Sequence, residues 1–142
     1  MAMTRSPRGR RGQSLVEFAV TLPVFVFLLF GLLDVGRLVY VNNAIAQAAR
    51  EAARWGSVQG RSASVPSRAT IQTYALNSMV AVPQPTVTVT CQDVTGAVLT
   101  ECSSVDLLEV QVRSQVSLLT PVFAQLLGTQ TYNATSVVAV NQ

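Results

Sequence analysis

From Leu15 to Leu33 the chain runs for 19 residues with one ionisable side chain, Glu17. As a helix rising 1.5 Å per residue this run spans roughly 28 Å, the thickness of the hydrocarbon core of a bilayer. The charge on its two flanks is unequal: Arg5, Arg8, Arg10 and Arg11 precede it, and only Asp34 and Arg37 follow it closely. The positive-inside bias then keeps the N-terminus cytoplasmic and exports the C-terminal part of the chain. The net charge of +3 has the same origin, because residues 1–12 contribute +4 and residues 13–142 contribute −1. A nearly neutral body argues against a nucleic-acid surface. With no histidine in the chain, the commonest general base and metal ligand are missing, so hydrolytic or zinc chemistry is not expected.

Residues 1–12 are short, polar and basic, with Pro7, Gly9 and Gly12 discouraging a helix. The expectation is a cytoplasmic leader without folded structure. Three export signals compete for it. A conventional secretory signal needs a small-x-small cleavage site close behind its apolar core, and Ala44-Ile45-Ala46 lies about ten residues too far on. Arg10-Arg11 resembles a twin-arginine signal, but Gly-Gln-Ser follows where an apolar pair is needed. The third reading is a prepilin-type signal, cut on the cytoplasmic side after Gly12. Glycine at the cut lets a membrane protease approach the backbone closely. Glu17 is then the fifth residue of the mature chain, with Phe18 behind it. The new α-amino group on Gln13 and the Glu17 carboxylate would sit one helical turn apart, within one subunit or between neighbours. The plainer reading of Glu17 is a membrane-edge carboxylate that favours the helix N-terminus electrostatically.

Gly12-Gln13-Ser14-Leu15-Val16-Glu17-Phe18-Ala19, Leu22-Pro23, Asp34-Val35-Gly36-Arg37-Leu38 and Ala48-Ala49-Arg50-Glu51-Ala52-Ala53-Arg54 together resemble the TadE-like family. The resemblance covers Arg11 to about Trp55. It implies a minor pilin or pseudopilin of a tight-adherence (Tad, Flp-type) pilus, matured by a prepilin peptidase at Gly12. The implied partners are that peptidase, other pilin or pseudopilin subunits and the inner-membrane assembly platform.

Past Leu33 the apolar run becomes amphipathic. Asp34 and Arg37, at i and i+3, are placed to pair and mark the membrane boundary. Leu38, Val41, Ile45, Ala48, Ala49, Ala52 and Trp55 recur at three-and-four spacing, with Asn42, Asn43, Gln47, Arg50, Glu51 and Arg54 opposite them. The helix is therefore expected over 13–56, with the membrane span at about 15–33 and Gly56 as its C-cap. Alanines four apart allow close approach of another element. For Ala48 and Ala52 the chain's own domain is the expected neighbour, since amphipathic helices usually bury their stripe on their own core. Pro23, inside the run, removes a backbone hydrogen bond and favours a kink.

Residues 57–66 read as a Ser- and Gly-rich linker, and 67–142 as a small extracytoplasmic domain. Pro66 suits the first position of a helix reaching about Val80, with Ala69, Ile71, Tyr74, Ala75 and Met79 on its apolar face. The period then becomes two. Val87, Val89 and Cys91 alternate with threonines, and Leu108, Val110, Val112, Val116 and Leu118 alternate with polar residues. Thr95-Gly96 marks a turn leading into a strand over Ala97–Leu99. A short helix is expected over Pro121–Leu127, ended by Gly128, and a last strand over Thr131–Val140. The sum is an α+β, pilin-like chain: a long N-terminal helix carrying a small antiparallel sheet.

Cys91 and Cys102 are the only cysteines. Their spacing is wide for a redox pair, and two cysteines without histidine are too few for a metal, so a structural disulfide is expected. Asn133-Ala134-Thr135 matches a short glycosylation pattern and is read as chance. No nucleophile, base and orienter set is visible, and neither is a phosphate loop. The sequence therefore reads as a non-enzymatic, cofactor-free, single-pass inner-membrane protein. The other reading is a tethered extracytoplasmic binding module whose leader stays uncut.

Overall fold

The computed structural model describes residues 8–62, 65–100, 102 and 107–140. The expected leader up to Pro7, Arg5 included, lies outside these residues, as do Ala63 and Ser64 of the expected linker. Helix α1 covers Arg8–Ser62, 55 residues and roughly 82 Å long. It is followed by α2 (Arg68–Ser78), β1 (Thr86–Gln92), β2 (Leu107–Val116), α3 (Pro121–Leu127) and β3 (Gln130–Ala139).

The three strands form one antiparallel sheet in the order β1-β2-β3. Val89 stands opposite Val110, and Val110 opposite Ser136. One face of the sheet is apolar because the period-two pattern holds through both β1 and β2: Val87, Val89 and Cys91 of β1 and Leu108, Val110, Val112 and Val116 of β2 are buried. The C-terminal half of α1 lies across this face against β2 and β3, and α2 fills the corner between α1 and β1.

Val41, Ile45, Ala49, Ala52 and Ala53 of α1 are buried in one core with the sheet, and Ala48 is buried beside Ser78 and Val80, while Asn42, Asn43, Gln47, Arg50, Glu51 and Arg54 are exposed. Ala48 and Ala52 are thus covered by the chain's own domain, as expected. Trp55 stacks on Tyr74 of α2, with ring centroids 4.6 Å apart and planes 5° apart. The Tyr74 hydroxyl donates to Glu51 Oε1 (3.1 Å), and the Tyr40 hydroxyl donates to the Val80 carbonyl (2.8 Å). On β2, Ser114 takes the inward place between Val112 and Val116 and donates to the Pro83 carbonyl at 2.6 Å.

Four boundaries differ from the sequence expectation. Helix α1 starts at Arg8 instead of Gln13. Extending an existing helix needs no new nucleus, so a glycine at about 1 kcal/mol does not stop it. At the other end α1 passes Gly56 and stops at Ser62. Gly56 is not a cap but a thin place in the helix, since a Cβ there would stand 2.6 Å from Leu108 Cδ2 and 3.3 Å from Ile71 Cδ1. A Cβ on Gly60, one turn on, would stand 2.7 Å from Val65 Cγ2 and 3.0 Å from Val140 Cγ1, so most of the expected linker is packed helix. Helix α2 begins after Ser67, whose hydroxyl accepts from the Thr70 N–H as an N-cap. Pro66 therefore lies outside the helix, and Ala69 is exposed. Ala97–Leu99 is not a strand. It makes one bridge, Gln92 to Val98, with the Leu99 N–H donating to the Cys91 carbonyl at 2.8 Å. Helix α3 and the last strand fall where the pattern places them, the strand shifted by one residue.

Candidate assembly surface

The first half of α1 carries the residues expected to be a processing site, Gly12 and Gln13, on bare helix. From Leu15 to Leu33 its large apolar side chains are exposed, Leu15 at 69%, Phe18 at 62% and Leu28 at 65%. Eighteen residues of this stretch have mean hydropathy 2.4 with none buried by the rest of the chain, which is long and apolar enough to cross a membrane. Gln13, Val16, Glu17, Val20 and Thr21 lie along one side of the helix, which puts Gln13 and Glu17 one turn apart. The Thr21 hydroxyl donates to the Glu17 carbonyl at 2.8 Å, and no described side chain pairs with the Glu17 carboxylate. A Cβ on Gly12 would meet nothing within 4 Å. Packing among the described residues therefore gives no reason for glycine at this position, as at Gly36 and in contrast to Gly56 and Gly60.

Where the apolar run ends, α1 is tied to the head by a clamp that sequence reasoning missed. Asp34 and Arg37 were expected to pair with each other, but both reach across to the loop between β2 and α3. Asp34 is 3% exposed. One of its oxygens accepts from the Leu119 N–H (2.9 Å), and the other from the Thr120 N–H (3.0 Å) and hydroxyl (2.6 Å). Arg37 donates to the Ser117 carbonyl at 3.2 Å. The Thr120 hydroxyl, then the Leu119 N–H, hold the Asp34 carboxyl below the usual carboxylate value. A carboxylate at the edge of an apolar run has its charge satisfied by three donors and need not face lipid. The sequence signal was weak: Thr120-Pro121 starts a helix whose cap residue makes no side-chain cap of its own, and the acid that serves it lies 86 positions upstream.

The far end of the head carries the disulfide. Cys91 and Cys102 are bonded, with Cα atoms 5.5 Å apart, and both are buried. The bond closes a loop whose turn is built on Asp93. The Asp93 carboxylate accepts from the Thr95 hydroxyl (2.6 Å), the Thr95 N–H (2.8 Å) and the Ala97 N–H (3.0 Å), while Gly96 takes a positive φ of 84°. These bonds, the Thr95 hydroxyl foremost, lower the Asp93 pKa. An Arg68 guanidinium N–H donates to the Leu99 carbonyl and fastens the same loop to α2. Among the described residues the disulfide and the Gly12–Phe18 stretch thus stand at opposite ends. Among the described residues no group of three or more Cys, Asp or Glu side chains is placed to hold a metal ion.

No curated protein and no solved structure matches the chain. Residues 12–54, which hold Gly12, Glu17, the exposed apolar run and Asp34 of the clamp, are similar to the family model described as TadE-like protein.

Proposed function

We propose that the protein is a minor pilin or pseudopilin, inserted as a single-pass precursor, cleaved after Gly12 by a prepilin peptidase, and assembled into or beneath a Tad-type pilus that serves surface adhesion. The observation that carries this reading is the match of residues 12–54 to the TadE-like model, which begins at Gly12 and runs into an apolar helix that nothing else among the described residues covers. Gly12 itself is open, so a peptidase can reach the Gly12–Gln13 bond without a side chain in the way.

Cleavage removes the helical residues before Gln13 and leaves an α-amino group one turn from Glu17. In an apolar setting a lone carboxylate is costly, and an amino terminus on the same or a neighbouring subunit offsets that cost. The exposed run from Leu15 to Leu33 then has two successive environments, first lipid and then the helices of other subunits. The head stays extracytoplasmic, with its sheet, clamp and disulfide intact, and has no catalytic task. The partners are the peptidase, other pilin or pseudopilin subunits and the inner-membrane platform.

A deletion strain complemented with the wild-type chain or with Glu17→Val tests this reading. Loss of pili and adhesion on deletion, restored by wild type and not by Glu17→Val, is the expected result. Normal pili in the deletion strain would favour an uncleaved, membrane-tethered binding module.

A further inference from the structure

We propose that helix α3 is sunk into the extracytoplasmic leaflet beside α1, with lipid acyl chains filling the groove between them, so that the head is held against the bilayer by a second apolar element. The proposal rests on the reading of α1 as a membrane span.

Three observations carry it. The first is position. The Asp34 clamp fixes the start of α3 where the apolar run ends, and a groove of about 430 Å³ lies between α1, which contributes Phe27, Leu28, Leu32 and Asp34 among others, and Leu118 of the preceding loop with Leu127 of α3. Phe27 lies seven residues below Asp34, roughly 10 Å along the helix, which is the depth to which interfacial helices sink. The floor of the groove belongs to the span, so lipid that covers α1 is continuous with it. The second is composition. The seven residues of α3 carry no charge, and Leu119, Leu126 and Leu127 are 63%, 77% and 56% exposed. In water this would be an uncovered apolar patch on the head.

The third is polar satisfaction, which hydrocarbon demands and water does not. Just before α3 the Leu119 and Thr120 N–H groups are taken by Asp34, Pro121 at the first helical position has no N–H to leave unpaired, and the Ala124 N–H donates to the Thr120 carbonyl at 2.9 Å. At its end the Gly128 N–H donates to the Ala124 carbonyl (3.0 Å) and the Gln130 side chain to the Leu127 carbonyl (2.6 Å). The chain itself thus closes part of the backbone polar groups that flank the helix.

The test uses the full chain in vesicles containing lipids brominated high in the acyl chain. A Trp55→Phe background removes the one tryptophan and keeps a ring on Tyr74. Single tryptophans are then placed at exposed sites: Leu126→Trp in α3, Leu28→Trp in the span, and Val98→Trp at the disulfide end. The expected result is loss of emission from Leu126→Trp comparable with that from Leu28→Trp, and none from Val98→Trp. Quenching of Leu28→Trp alone overturns the proposal and leaves the span standing. In that case a blue-shifted Leu126→Trp emission would assign the groove to a second copy of the chain. Quenching of neither overturns the span and the proposal together.

Discussion

The close approach of α1 to the sheet at Gly56 can be tested by a double-mutant cycle with Leu108. Gly56→Ala acts in two opposed ways. It improves the helix by about 0.8–1.0 kcal/mol. It also places a Cβ 2.6 Å from Leu108 Cδ2, inside any real carbon contact, and overpacking of this kind costs about 1–3 kcal/mol. The packing term wins, so the single variant is expected to lose about 0–2 kcal/mol. Leu108→Val removes the colliding Cδ2 and on its own costs the lost methylene. In that background Gly56→Ala meets only Ile71 Cδ1 at 3.3 Å and becomes neutral or stabilising. The coupling between the two sites is then about 1–3 kcal/mol, in the range of residues in direct contact. Guanidinium unfolding of the full chain in detergent micelles, followed by the fluorescence of Trp55 on its Tyr74 stack, reads all four corners. Additivity within about 0.5 kcal/mol would refute the close approach.

Other expectations concern the clamp and the disulfide. Removing the Cys91–Cys102 bond, which closes a short loop, lowers the stability of the head by somewhat under about 3 kcal/mol, read as a drop in Tm on adding reductant. Thiol labelling under non-reducing, denaturing conditions finds neither sulfur free. Asp34 and Asp93 both have lowered carboxyl pKa values, so their stabilisation is present above the unfolded value of 3.8 and is lost as pH falls through the folded values. Acid unfolding of Asp34→Asn is therefore less steep than that of wild type, and an unchanged acid profile would contradict the clamp. Asp34→Ala frees the segment from Ser117 to Gly128 without unfolding the sheet, which limited proteolysis detects as faster cleavage there.

Much of this fold is legible in the chain because two periods are cleanly written. The three-and-four spacing from Leu38 to Trp55 and the alternation in β1 and β2 each specify one buried face, and the helix and sheet bury those faces on each other. Glycine is where the sequence misleads. Gly56 reads as a stop because glycine so often ends helices, yet here it lets β2 approach, and only the position of Leu108 distinguishes the two uses. The Asp34 clamp was hidden for a related reason. A local pair with Arg37 satisfies everything visible within one turn, while the true acceptors and donors lie in a loop 80 or more residues away. The reading of Gly12, Gln13, Glu17 and Phe18 rests on the order of residues along one helix and uses no long-range contact.

The most direct test of the account is the intact mass and N-terminal sequence of the protein extracted from the membrane of its native host, with a Gly12→Leu variant beside it. The account predicts a mature chain beginning at Gln13 and an uncut variant. A wild-type chain that keeps residues 1–12 while pili are being made would contradict it, leaving Glu17 as a membrane-edge carboxylate on a permanently tethered head.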